Sequence, residues 1–174
     1  MNLYFRLIRI WLKFSFAKKQ GIYTPCVTRF RAYLRDIDFN LHVNNARYLS
    51  FMDLSRLDFL GKVGLLKLVF KHRLNPIVAA IDIKFIKEIK PFEAIEIVTQ
   101  LDHFDHKYFY LTQTFQGKHD RPFAVAKVRG IFVTAKGKVP PEEVIRLSGH
   151  EIRKDLYVDK DDSSAIENWR TISK

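Results

Sequence analysis

The sequence predicts an α+β domain: one long helix early in the chain, then a sheet of about five antiparallel strands curled around it. Three observations carry that expectation. Residues 45–60 place apolar side chains at helical spacing, and four strand-like runs follow Pro76 with turn chemistry and no helical pattern between them. Consecutive strands without intervening helices pair as hairpins rather than as parallel crossovers. The 174 residues are 47% hydrophobic and 14% aromatic with seven Gly and six Pro, enough for one core and too few for two enzyme-sized domains. That composition also excludes an intrinsically disordered or collagen-like chain.

Residues 1–20 read as an amphipathic helix, with Leu3, Leu7, Ile10, Trp11 and Phe14 on one side and Arg6, Arg9 and Lys13 on another. The cations interrupt every apolar run short of the ~18–20 residues that a membrane span requires. The helix either packs on the domain or a partner subunit, or lies in a membrane interface. Between Pro25 and Arg35, Phe30, Ala32 and Leu34 alternate with Arg29, Arg31 and Arg35, which predicts the first strand. A polar turn leads into a helix from about Asn45 to Leu60, closed by Gly61, and a shorter helix from Leu65 to Lys71 ends before Asn75 and Pro76. The strand runs are IVAAIDIKFI, AIEIVTQLDHF, KYFYLTQTFQ and FAVAKVRGIFVTA, and Pro140 and Pro141 open a last short helix with EEVIRL. A polar end follows, with Asp162 or Ser163 as a candidate cap. The expected organisation is a helix over 1–20, a domain over 21–149 and a tail over 150–174.

Thirty Lys and Arg against 19 Asp and Glu give a net charge of +11, which suits nucleic acid, an anionic membrane, or an anionic substrate or carrier. Nucleic acid gains nothing beyond the charge: the Gly61-Lys-Val-Gly64 piece has clamp-like spacing, but helix termination explains its first glycine. Cys26 is the only cysteine, so neither a disulfide framework nor a Cys-rich zinc site forms, which fits a reducing, cytoplasmic setting. Asp102, His103, Asp105 and His106 fall at a hairpin turn without a second ligand group, and no metal is expected there.

Chemistry concentrates in residues 36–48, Asp-Ile-Asp-Phe-Asn-Leu-His-Val-Asn-Asn-Ala-Arg-Tyr, between a strand and a helix start. Free backbone N–H groups at such a start polarise a carbonyl, and a neighbouring carboxylate activates water or attacks directly. The same residues also serve structure alone, with Asp36 and Asn40 shaping the turn and Asn44 or Asn45 capping the helix. The pattern by itself leaves both open. Asp53 and Arg56, three apart on the helix, pair on one face.

The segment DIDFNLHVNNARYLSFMDLSRLDFL resembles the signature of hotdog-fold thioesterases of the 4-hydroxybenzoyl-CoA thioesterase type, above all the thioesterase superfamily member 6 branch. It is also similar to the Asp-x-Asp-x-Asn-x-His-Val-Asn-Asn segment of plant acyl-ACP thioesterases. The resemblance implies an acyl-CoA or acyl-ACP hydrolase of fatty acid metabolism, with Asp38 as the catalytic carboxylate and Asn40 and His42 as its catalytic companions. It implies a homodimer or homotetramer with the site between subunits, and no cofactor. Asn44, Asn45, Tyr48, Phe51, Met52 and Phe85 are the expected substrate-binding residues, Phe51, Met52 and Phe85 bordering an acyl channel. Lys127, Arg129 and Lys136 would suit CoA phosphates or an acidic carrier. The expected location is cytoplasmic, with residues 1–19 available for peripheral membrane contact. A non-catalytic acyl-CoA binder or membrane-associated scaffold of the same fold is the alternative.

Overall fold

The computed structural model describes residues 19–117 and 121–158. The helix expected over 1–20, apart from residues 19 and 20, and the cap expected at Asp162 or Ser163 lie outside the described residues. Six strands run in chain order as β1 (Cys26–Arg31), β2 (Asn75–Phe85), β3 (Ala94–Phe104), β4 (Phe109–Gln116), β5 (Pro122–Thr134) and β6 (Gly137–Val139). Three helices accompany them: α1 (Asn45–Lys62), α2 (Leu65–Lys71) and α3 (Pro141–Leu147). Every pairing is antiparallel, in the order β1-β3-β4-β5-β2, with short β6 against β5. This is a curled hotdog sheet with α1 across its concave face. No helix among the described residues is long and apolar enough to cross a membrane.

Alternation along the strands sends Ile95, Ile97, Thr99 and Leu101 inward, and a bulge between Leu101 and His103 resets the parity so that Phe104 is buried as well. Helix α1 buries Tyr48, Phe51, Met52, Ser55, Asp58 and Phe59, a face at steps of three and four. It runs through Gly61 to Lys62. Phe59 and Val63 are buried on either side of that glycine, and the left-handed residue that ends the helix is Gly64, at φ 80°. The first strand stops at Arg31, short of the expected Arg35. Asp36 draws the chain into a 3-10 turn over Leu34–Asp36 by accepting the Tyr33 N–H, so Leu34 is exposed rather than inward. Residues 150–158 run back along the domain, where Ile152, Leu156 and Tyr157 pack on the core and the Val158 N–H donates to the Phe104 carbonyl.

Two apolar clusters lie under α1, one around Phe51, Met52, Ile97 and Phe115, the other around Phe59, Leu65, Phe104 and Phe132. A buried polar row separates them. The Thr28 hydroxyl donates to Asp58 Oδ2 at 2.7 Å, Ser55 and Thr99 share a hydrogen bond at 2.8 Å, and Gln113 Nε2 donates to Thr99 Oγ1 at 3.0 Å and to the Met52 carbonyl at 3.2 Å. Lys62 Nζ closes the row on Asp58 Oδ2 at 2.8 Å, and sits 3.4 Å from Cys26 Sγ. Each member has a partner, so the row orients α1 on the sheet without an unsatisfied group beneath it.

Burial pushes the Cys26 thiol up, outweighing the opposing pull of Lys62. Cys26 has no exposed surface. Iodoacetamide at about pH 8 should therefore leave the native protein unmodified and label it fully in concentrated guanidinium; rapid labelling of the native protein would show that this end of the row opens.

Candidate active site

The motif folds as a tight turn held at both ends. Ile37 and Val43 form an isolated bridge, the Asp38 N–H donates to the His42 carbonyl at 3.0 Å, and the Leu41 N–H returns to the Asp38 carbonyl at 3.1 Å. Leu41 takes a left-handed φ of 60°, an uncommon conformation for a branched residue. The Val43 N–H donates to the Ile89 carbonyl at 2.9 Å, tying the turn to the loop between β2 and β3. Asn44 then caps α1, its side chain accepting the Ala46 N–H at 2.9 Å.

The two carboxylates of the motif part company. Asp36 is fully buried and takes Arg47 Nε at 3.0 Å and Nη2 at 2.8 Å on Oδ1, with the Tyr33 N–H at 3.0 Å on Oδ2. It anchors the start of α1 to the end of β1. Asp38 lies two residues on, beyond the 3-10 turn, and is 19% exposed. Its Oδ1 accepts the Asn40 backbone N–H at 2.9 Å and stands 3.5 Å from His42 Nδ1, an electrostatic contact longer than a good hydrogen bond. Its Oδ2 has no hydrogen-bond partner among the described residues. A carboxylate with one oxygen fixed and one open can take a proton from water or attack a carbonyl carbon.

The turn gathers Asp38, Asn40, His42, Asn44 and Asn45. Asn40 and Asn45 are exposed, and the link from Asn40 to Asp38 is through its backbone N–H. Tyr48 sits one turn into α1, buried, edge-on to Phe85 at 5.0 Å, and its phenol is pushed up to about 12 by burial first and by Glu93 second. Phe85 is half-exposed on the edge strand. Phe51 and Met52, expected along an acyl channel, have no exposed surface and are packing residues of the core. Lys127, expected to meet phosphates, is engaged on the opposite face of the sheet, donating to Asp102 Oδ2 at 2.8 Å and Thr112 Oγ1 at 2.6 Å.

Sequence reasoning missed Arg47, Gln113 and a basic rim. Arg47 reaches back eleven residues to Asp36, a distance that only the turn explains. Gln113 lies between inward Leu111 and Phe115, so strand parity alone places an amide under α1, where Arg56 Nη1 donates to it at 2.6 Å while Nη2 meets Asp53. The rim is Lys87 and Lys90, on the loop that Ile89 ties to the motif turn, with Arg121 from the β4–β5 connection; Glu88 and Glu93 line the same depression beside Phe92, and Arg121 Nη2 donates to Glu93 at 2.6 Å.

A family model described as the thioesterase-like superfamily matches residues 33–148. Protein THEM6 of Danio rerio is 34% identical over 94 residues, covering 54% of this chain and 46% of that protein, so the chain spans about half the length of that relative. Protein THEM6 of Drosophila melanogaster is 30% identical over 142 residues, covering 70% of this chain and 74% of the relative. Among solved structures, the YbaW probable thioesterase from Escherichia coli superposes with a TM-score of 0.66 at 23% identity, over 71% of this chain and 95% of that one, a likeness of fold. The family match takes in the motif turn, α1, the sheet from β2 onward and α3, and the chain therefore belongs to the thioesterase-like superfamily.

Proposed function

We propose that the protein hydrolyses acyl thioesters of coenzyme A or an acyl carrier protein, with Asp38 as the reacting carboxylate. The observation that carries this reading is the divided environment of Asp38: Oδ1 is held by the Asn40 N–H and His42, and Oδ2 is open at the start of α1. Asp38 takes a proton from water as the water oxygen adds to the thioester carbonyl carbon. In this reading the developing oxyanion is stabilised by the Asn45 N–H, which meets no acceptor among the described residues, at the positive end of α1. The tetrahedral adduct then expels the thiolate, which recovers the proton from Asp38, leaving a carboxylic acid and a thiol. A thiol ionises near ~8.5, so the leaving group needs no strong acid. His42 orients the carboxylate. Lys87 and Lys90, whose ammonium groups meet no carboxylate among the described residues, suit the phosphates of the thiol carrier better than Lys127, which is engaged by Asp102.

Strand β2 supports the assembly implied by the family. It is an eleven-residue edge with Ile77, Val78 and Phe85 exposed, the kind of strand that soluble proteins cover. Two copies joined antiparallel along β2 bury that edge and set each motif turn beside the other copy. Residues 1–19 would add contact with an anionic membrane surface on the cytoplasmic side. A panel of acyl-CoA esters assayed for released thiol tests the hydrolase reading. Turnover well above the uncatalysed rate is expected; tight acyl-CoA binding without turnover would contradict it and leave a binding module.

A further inference from the structure

We propose that the acyl chain lies in the cavity between the second half of α1 and the β2, β4 and β5 side of the sheet, and that this cavity selects chains of medium length. The proposal rests on the thioesterase reading and names its substrate class. The cavity has a volume of about 220 Å³ and is lined chiefly by Leu57, Leu60, Leu111, Val128, Ile131 and Phe132. An apolar cavity of about 150 Å³ takes up a benzene ring, so by proportion this one takes about eight to ten carbons.

Gly130 keeps it open. It sits mid-strand on β5, paired to Val78 and Phe109, where a glycine weakens a sheet and marks close approach of something else. Neither its backbone nor its neighbours demand glycine: its φ is not left-handed, and a Cβ built there would meet only the Ile77 carbonyl, at an ordinary 3.7 Å. The space beyond is vacant. Opposite it, the bulge between Val78 and Ala80 breaks the regular path of the edge strand where it borders the cavity.

The polar groups of the lining stand together. Arg56 is mostly buried, fastened to Gln113 and Asp53, and Asp53 is largely exposed, so the Asp53–Arg56 pair marks the mouth. A chain entering there has the rest of the lining apolar as far as Gly130 and Phe132. In a pair of copies joined antiparallel along β2, the Phe85 end of one strand comes alongside the Asn75 end of the other. Phe85 packs on Tyr48 at the start of α1, so each mouth faces the motif turn of the second copy. The cavity thus receives the tail of a thioester whose carbonyl is at the neighbour's Asp38.

Two variants narrow it from opposite walls: Gly130→Val from the sheet and Leu57→Phe from the helix. The measurement is kcat/KM of the full chain for butanoyl-, hexanoyl-, octanoyl-, decanoyl- and hexadecanoyl-CoA, beside calorimetric binding of octyl-CoA, a thioether that cannot be hydrolysed, as a probe independent of turnover. The wild type should peak at octanoyl to decanoyl. Either variant should raise the butanoyl-to-decanoyl ratio at least tenfold, about the value of one methylene in an apolar pocket, and should weaken binding of the octyl-CoA probe. If both variants fold and both leave the ratio and the probe unchanged, the cavity is not the acyl site and the proposal fails. If no ester is hydrolysed but the probe binds and both variants weaken it, the hydrolase reading fails while the pocket stands.

Discussion

Asp38→Asn should lower thioester turnover about a thousandfold while leaving the protein folded, within the 10²–10⁴ range for loss of a positioned base. The amide keeps the shape of the carboxylate, and its oxygen still accepts the Asn40 N–H, so the turn retains its internal bond. What disappears is the charge that takes a proton from water. The companions should divide by how they touch Asp38. Asn40→Ala spares the backbone N–H and should cost little, whereas Asn40→Pro removes that donor and should cost far more. His42→Ala should fall between, because its contact is long and its ring is partly exposed. Steady-state kinetics with each variant checks the order; an Asp38→Asn protein as active as the wild type would remove Asp38 from the chemistry.

Arg47→Ala should destabilise the fold by about 3 kcal/mol, the lower end for breaking a buried pair from one side. Asp36 has no exposed surface, and Arg47 Nε and Nη2 both meet its Oδ1. Truncating the arginine takes the guanidinium from a buried carboxylate, although water can enter where Arg47 was partly exposed. In a domain of this size that is a fall in Tm of about 6–12 °C. Asp36→Asn should cost less, since it removes the buried charge and leaves Arg47 access to solvent. Thermal melts of the two variants separate the cases: equal stability in Arg47→Ala and the wild type would mean that the pair does not hold the motif turn.

Much of this molecule was legible in its residues. The strand-like runs after Pro76 and the turn chemistry between them located β2 through β5, and Leu65, Lys71 and Pro141 bounded the short helices. The misses have physical causes. Parity along residues 27–35 predicts Leu34 inward, but a buried charge two residues later bends the chain out of the strand. Gly61 looks like a helix end, yet packing on both sides carries the helix through it to Lys62, and the left-handed residue is Gly64. Asp36 and Asp38 share parity in an extended chain and separate only because the 3-10 turn puts one inside and one outside. Phe51 and Met52, expected beside an acyl channel from the resemblance, both have no exposed surface in the chain alone. Lys127 alternates with inward Ala126 and Val128, so strand parity sets it on the outer face, where Asp102 takes it. Three-residue β6 is too short for any periodicity to reveal.

The most direct measurement is a crystal structure with an acyl-CoA analogue in which a methylene replaces the thioester sulfur. The account predicts the ketone carbon within about 3.5 Å of Asp38 Oδ2, or of a water that Oδ2 holds, at the start of α1. A ketone seated elsewhere, with the Asp38 side chain turned from it, would contradict the account.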